Sequence, residues 1–84
     1  MTSPNIIAEV AEEITPFPPK AQAILNSFYD AKELTMGTTR DKLDALKSAN
    51  GLNDAEVVAD GGFSSEEEEL RAFEFYVLTK AGVL

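Results

Sequence analysis

The chain has 84 residues, with 15 acidic against 7 basic for a formal net charge of −8, and it contains neither cysteine nor histidine. The missing thiols exclude a disulfide framework, a thiolate nucleophile and a sulfur-ligated metal, and the missing imidazole excludes Ser-His-Asp and Cys-His chemistry. A field of that sign repels nucleic acid and anionic membrane surfaces and steers the chain toward basic partners.

Ser3-Pro4 opens the first expected helix, residues 4–14, with serine as N-cap and proline at a position that needs no donor. Ile6, Ile7, Val10, Ala11 and Ile14 recur at three- and four-residue intervals, with Glu9, Glu12 and Glu13 on the other side. Pro16-Phe17-Pro18-Pro19 ends that pattern. The same stretch could serve as a polyproline ligand, but it reads better as a stiff linker whose phenylalanine packs on the core. A second helix is expected over 19–34 along Ala21, Ile24, Leu25, Phe28 and Ala31, with Gly37 as its stop.

Thr38 or Thr39 caps a third helix, 39–49, carrying Leu43 and Leu46, which Asn50-Gly51-Leu52 closes with a left-handed residue and a hydrophobic contact. Asn53 and Glu56 have capping-box spacing and predict a short helix over 54–60, broken by Gly61-Gly62. Ser64 or Ser65 with Glu67 or Glu68 forms a second box and starts a last helix over 65–81. No period-two strand pattern occurs. The expected fold is all-α, a small single-domain bundle of four to five short helices.

Two features point outward. From Asp54 to Glu69 there are seven acids and no Lys or Arg. Acids in a first helical turn suit the helix dipole, yet four in succession exceed what a helix start needs. Successive helical residues also diverge, so Glu66 to Glu69 cannot converge on one cation, and no metal ligand is expected. The last helix is apolar on more than one side: Leu70, Phe73, Val77, Ala81 and Leu84 share a face, while Phe75 projects roughly opposite. Such a helix is either central to its domain or covered by another chain. The sequence favours an interface there, with Phe75, Tyr76, Glu67 and Glu68 as partner-binding residues.

The segment from 39 to 60 has the outline of a helix-turn-helix. Lys47 occupies the place of a small buried residue, however, and the second helix carries Asp54, Glu56 and Asp60 with no base to meet phosphate. Gly61-Gly62 lacks the Lys-Ser/Thr of a phosphate loop. Leu70-Arg71-Ala72-Phe73-Glu74 followed by Val77 resembles the start of the phycobilisome-degradation adaptors, but their downstream helix is missing. Gly62-Phe63-Ser64-Ser65-Glu66 resembles the nitrile-hydratase-like leader peptides, but no terminal double-glycine cleavage signal follows. Neither stretch assigns a family.

The expected function is therefore a non-catalytic protein-protein interaction module, a small acidic adaptor, regulator or inhibitor docking on a larger basic protein, in one variant by nucleic-acid mimicry. The alternative is a structural subunit, in an oligomer or a virion, assembling through the C-terminal helix. No catalytic residue, cofactor, direct nucleic-acid contact or membrane contact is expected. With no basic flank before a hydrophobic stretch at Met1 to Val10, the expected location is cytoplasmic, or a host's cytoplasm for a viral product.

Overall fold

The computed structural model describes residues 16–58 and 61–84, and the helix expected over 4–14 lies outside them. Among the described residues there are three α-helices, α1 (Pro19–Ala31), α2 (Thr39–Asn50) and α3 (Glu66–Lys80), and a single 3-10 turn, Asp54–Glu56. The all-helical expectation holds in that form. Among the described residues the expected count of four to five helices is not confirmed.

Pro19 begins α1 without a side-chain cap. The spacing of four between Ala21, Leu25 and Tyr29 places all three on the buried stripe. Expected to run to 34, α1 instead stops at Ala31, because Glu33 adopts the left-handed conformation at φ 57°. Leu34 N–H then donates to the Tyr29 carbonyl at 2.6 Å and Glu33 N–H to that of Asp30 at 3.0 Å, the paired bonds of a Schellman closure. A left-handed glutamate costs roughly 1–2 kcal/mol. It is offset by Leu34, which the turn brings onto the hydrophobic cluster. Gly37, the expected stop, lies beyond.

The ends of α2 follow their sequence signals. Thr38 Oγ1 accepts from Asp41 N–H at 3.2 Å, and Gly51 at φ 64° lets Leu52 N–H reach the Lys47 carbonyl at 2.9 Å. The Asn53–Glu56 box forms in both directions: Ala55 N–H donates to Asn53 Oδ1 at 2.9 Å, and Asn53 N–H to Glu56 Oε2 at 3.1 Å. It supports one turn only, not the helix expected over 54–60. Val57 leaves it in extended conformation and is buried in the core.

Ser65 caps α3 by accepting from Glu68 N–H at 3.1 Å. Gly82 closes the other end at φ 78°, with Val83 N–H donating to the Leu78 carbonyl at 3.0 Å. Ala72, Phe73, Phe75, Val77 and Leu78 are all buried, on several sides of the helix. The helix is central: α2 packs most extensively on one flank and α1 on another. Toward α2, Phe73 and Ala72 join Leu43 and Val57. Toward α1, Phe75, Val77 and Leu78 join Phe17, Ala21, Leu25 and Tyr29, together with Leu46 of α2.

Phe75, expected at an interface, is a buried residue of the described chain. It is only 7% exposed and belongs to the same buried cluster as Phe17 of the linker and Ala21 of α1. The all-round apolarity of the last helix accords with its central position among the described residues.

Candidate functional site

The four residues expected to bind a partner are not brought together as one exposed patch. Phe75 is in the core, and Tyr76 is half-buried, packed against the Phe73 cluster with the Lys80 ammonium 5.3 Å from its ring centroid. Glu67 is exposed. The Glu68 carboxylate accepts from the Ser64 hydroxyl while its own N–H is held by Ser65, so it forms part of the helix start.

Much of the acidic stretch is tied down by α2. Arg40 Nε donates to Glu66 Oε2 at 2.7 Å. Lys47 Nζ pairs with Asp54 and lies 3.7 Å from Glu69, with the Phe73 ring centroid 5.0 Å away. Arg40 also faces Asp44 one turn on. These bridges fasten the start of α3 and the 3-10 turn to α2, although each exposed pair is worth at most about 1 kcal/mol. Five of the seven cations (Arg40, Lys42, Lys47, Arg71 and Lys80) engage a carboxylate or a ring inside the chain, which leaves the outward field acidic.

A second polar constellation had no clear signal in the sequence. Tyr29, 4% exposed, donates its hydroxyl to Glu74 Oε2 at 2.5 Å and so joins α1 to α3. Lys42 of α2 sits 5.3 Å from the Tyr29 ring centroid. Arg71 Nη1 is 3.9 Å from Glu74 Oε1, and its guanidinium lies 4.5 Å from the Phe17 ring centroid. Burial raises the Glu74 carboxyl above its ordinary range, against the opposing pull of the Tyr29 hydroxyl, Arg71 and Lys42. Burial, then the neighbouring Glu74 charge, pushes the Tyr29 phenol far up, so it stays neutral and donates. Chemically the pair is an interhelical tie: among the described residues no buried side-chain nitrogen or oxygen lacks a partner, and no cluster of acids could hold a metal.

The surface feature best shaped to receive something is an apolar groove between the second half of α1 and the end of α3. Ile24 and Phe28 form one wall and Val77 and Ala81 the other, with Leu52 between them. Asn50 and Lys80 supply its polar atoms, and the volume is about 260 Å³. A cavity of about 150 Å³ accepts benzene, so the groove has room for a pair of aliphatic side chains. Ile24, Phe28 and Leu52 are half-buried and pack on the Phe75 cluster, which forms the groove's rigid backing. The spacing of four between Ile24 and Phe28 was legible as part of a helix stripe. That they flank the stripe, next to the buried line through Leu25, depended on how α1 sits on α3.

No family model, curated protein or solved structure matches this chain. Among the described residues, no helix is long and apolar enough to cross a membrane.

Proposed function

We propose that this chain is a non-catalytic protein-protein interaction module, a small acidic adaptor, regulator or inhibitor that docks on a basic surface of a larger protein. The observation that carries the reading is the groove over Ile24, Phe28, Leu52, Val77 and Ala81. It is concave, mostly apolar and backed by a packed core, which is what a desolvated anchor side chain requires. The net charge of −8, with most cations engaged internally, supplies the long-range attraction to a basic partner.

Phe28 takes the anchoring role first assigned to Phe75. Tyr76 contributes through Lys80, which it holds at the groove's edge, and exposed Glu67 acts on the encounter. Nucleic-acid mimicry is not favoured, because carboxylates bound to Arg40, Lys47 and Ser64 are not free to stand in for phosphates. Self-assembly through the C-terminal helix loses its motive with Phe75, Val77 and Leu78 covered inside the chain.

The test is retention of host proteins on the immobilised chain and on two folded variants, Phe28→Ala and Glu67→Lys, with helicity checked by circular dichroism. The same species should be retained by the parent and lost with Phe28→Ala, while Glu67→Lys weakens retention most at low salt. Equal retention by parent and Phe28→Ala, or none by the parent, overturns the proposal.

A further inference from the structure

Lys80 stands apart from the other engaged cations. Arg40, Lys47 and Arg71 each face a carboxylate within 4 Å, and Lys42 acts on that of Glu74. Among the described residues no carboxylate pairs with Lys80, whose ammonium lies only near the Tyr76 ring, 5.3 Å from its centroid. Its three donors are therefore open to an acceptor at the edge of the apolar groove. We propose that the groove between α1 and α3 binds a small anionic amphiphile, a fatty-acid-like carboxylate whose tail lies along Ile24, Phe28, Leu52 and Val77 and whose head meets Lys80, and that this occupancy excludes the partner. The inference rests on the docking reading of the same groove and adds a ligand that regulates it.

The volume sets the size of the ligand. A cavity of about 150 Å³ holds the ring of benzene, so one of about 260 Å³ has room for about ten non-hydrogen atoms, those of octanoate. The lining contains no carboxylate, and Asn50 directs its amide nitrogen to the Leu46 carbonyl at 2.9 Å, which leaves Lys80 as the charged donor for the head. Two effects oppose an anion there, and both are weak. The carboxyl end of α3 carries negative partial charge, but the carbonyls of Val77, Leu78 and Thr79 already accept from Ala81, Val83 and Gly82 at 3.0, 3.0 and 3.1 Å. The net charge of −8 repels at long range, but physiological salt shortens the screening length to about 8 Å, so the local charges decide. Beside the groove stand Lys80 and, one turn before Ile24 on α1, exposed Lys20.

The test is nuclear magnetic resonance titration of the isotope-enriched full-length chain with octanoate and with octanol, each below the concentration at which it self-associates. Octanoate should shift the amide signals of Ile24, Phe28, Val77 and Lys80 saturably. Exposed Lys80→Gln should weaken octanoate about fivefold and leave octanol unchanged, as expected for the loss of one exposed charge contact. No saturable shift, a shift centred elsewhere, or equal octanoate affinity in parent and Lys80→Gln overturns the proposal. In the retention experiment saturating octanoate should release the retained species, and undiminished retention overturns the exclusion of partner by ligand. The titration contains no partner, so octanoate binding without retention of any protein sinks only the docking function. Retention without octanoate binding sinks only this inference.

Discussion

The α2–α3 pair and α1 are built to different standards. Around Phe73 the packing is closed: Leu43, Ala72, Phe73 and Val57 are essentially inaccessible. Each turn there has a matching local device, at Thr38, Gly51, Asn53 and Ser65. By contrast α1 starts without a side-chain cap, stops on a left-handed glutamate and meets α3 partly through a buried phenol–carboxylate pair. It also leaves a groove at its far end. One half is a platform in which local and tertiary preferences agree. The other is a helix held on by fewer and more conditional interactions, which is where a binding surface is expected.

The largest effect that would break this contrast is on the platform. Phe73→Ala removes a fully buried ring and should cost about 3–5 kcal/mol, comparable to the whole stability of a small domain. Denaturant titration should show the chain unfolded or nearly so, and a loss under about 1 kcal/mol would mean that the α2–α3 core is not the stable half.

Next comes the interhelical tie. Tyr29→Phe leaves the Glu74 carboxylate without its hydroxyl donor and should cost about 1–3 kcal/mol at neutral pH. The pH dependence has a defined sign. The Glu74 carboxyl titrates higher in the folded chain than in the unfolded one, so its contribution to stability is fully present below the unfolded pKa and is lost as pH rises through the folded one. Thermal melts of Glu74→Gln against the parent should therefore diverge in the variant's favour as pH rises from acid through that window. Divergence in the opposite direction would show that Arg71 and Lys42 outweigh desolvation. A smaller effect belongs to the cap: Ser65→Ala should cost about 1 kcal/mol, read as a shift in urea midpoint, and no shift would make the Ser64 contact to Glu68 the operative start of α3.

The legible parts of the fold were those whose causes lie within a few residues. The Thr38 cap, the Gly51 closure with Leu52 and the Ser65 start of α3 each require only a side chain and a nearby backbone group. The Asn53–Glu56 box was equally legible, yet its helix did not propagate. Capping stabilises a first turn, and burial of Val57 determined what followed. The end of α1 was misread because nothing local marks Glu33 as left-handed, and the gain comes from Leu34 reaching a cluster assembled from distant residues.

The candidate site shows the same division more sharply. Apolar surplus on the last helix was visible in the spacing of Phe73, Phe75 and Val77, but spacing does not say whether a neighbour covers it from inside or outside the chain. Burial of Phe75 in one cluster with Phe17, Ala21 and Leu25 decided that, and with Leu25 inward Ile24 and Phe28 are left at the groove.

By itself the sequence determined the helical class, three of the helix starts, the acidic field and the absence of thiol and imidazole chemistry. These follow from composition and from interactions spanning one turn. Only the tertiary structure decided which aromatic is core, which carboxylates are tied to Arg40 and Lys47, and where a concave apolar surface remains. Those depend on the relative placement of α1, α2 and α3, and burial is a property of neighbours distant in sequence.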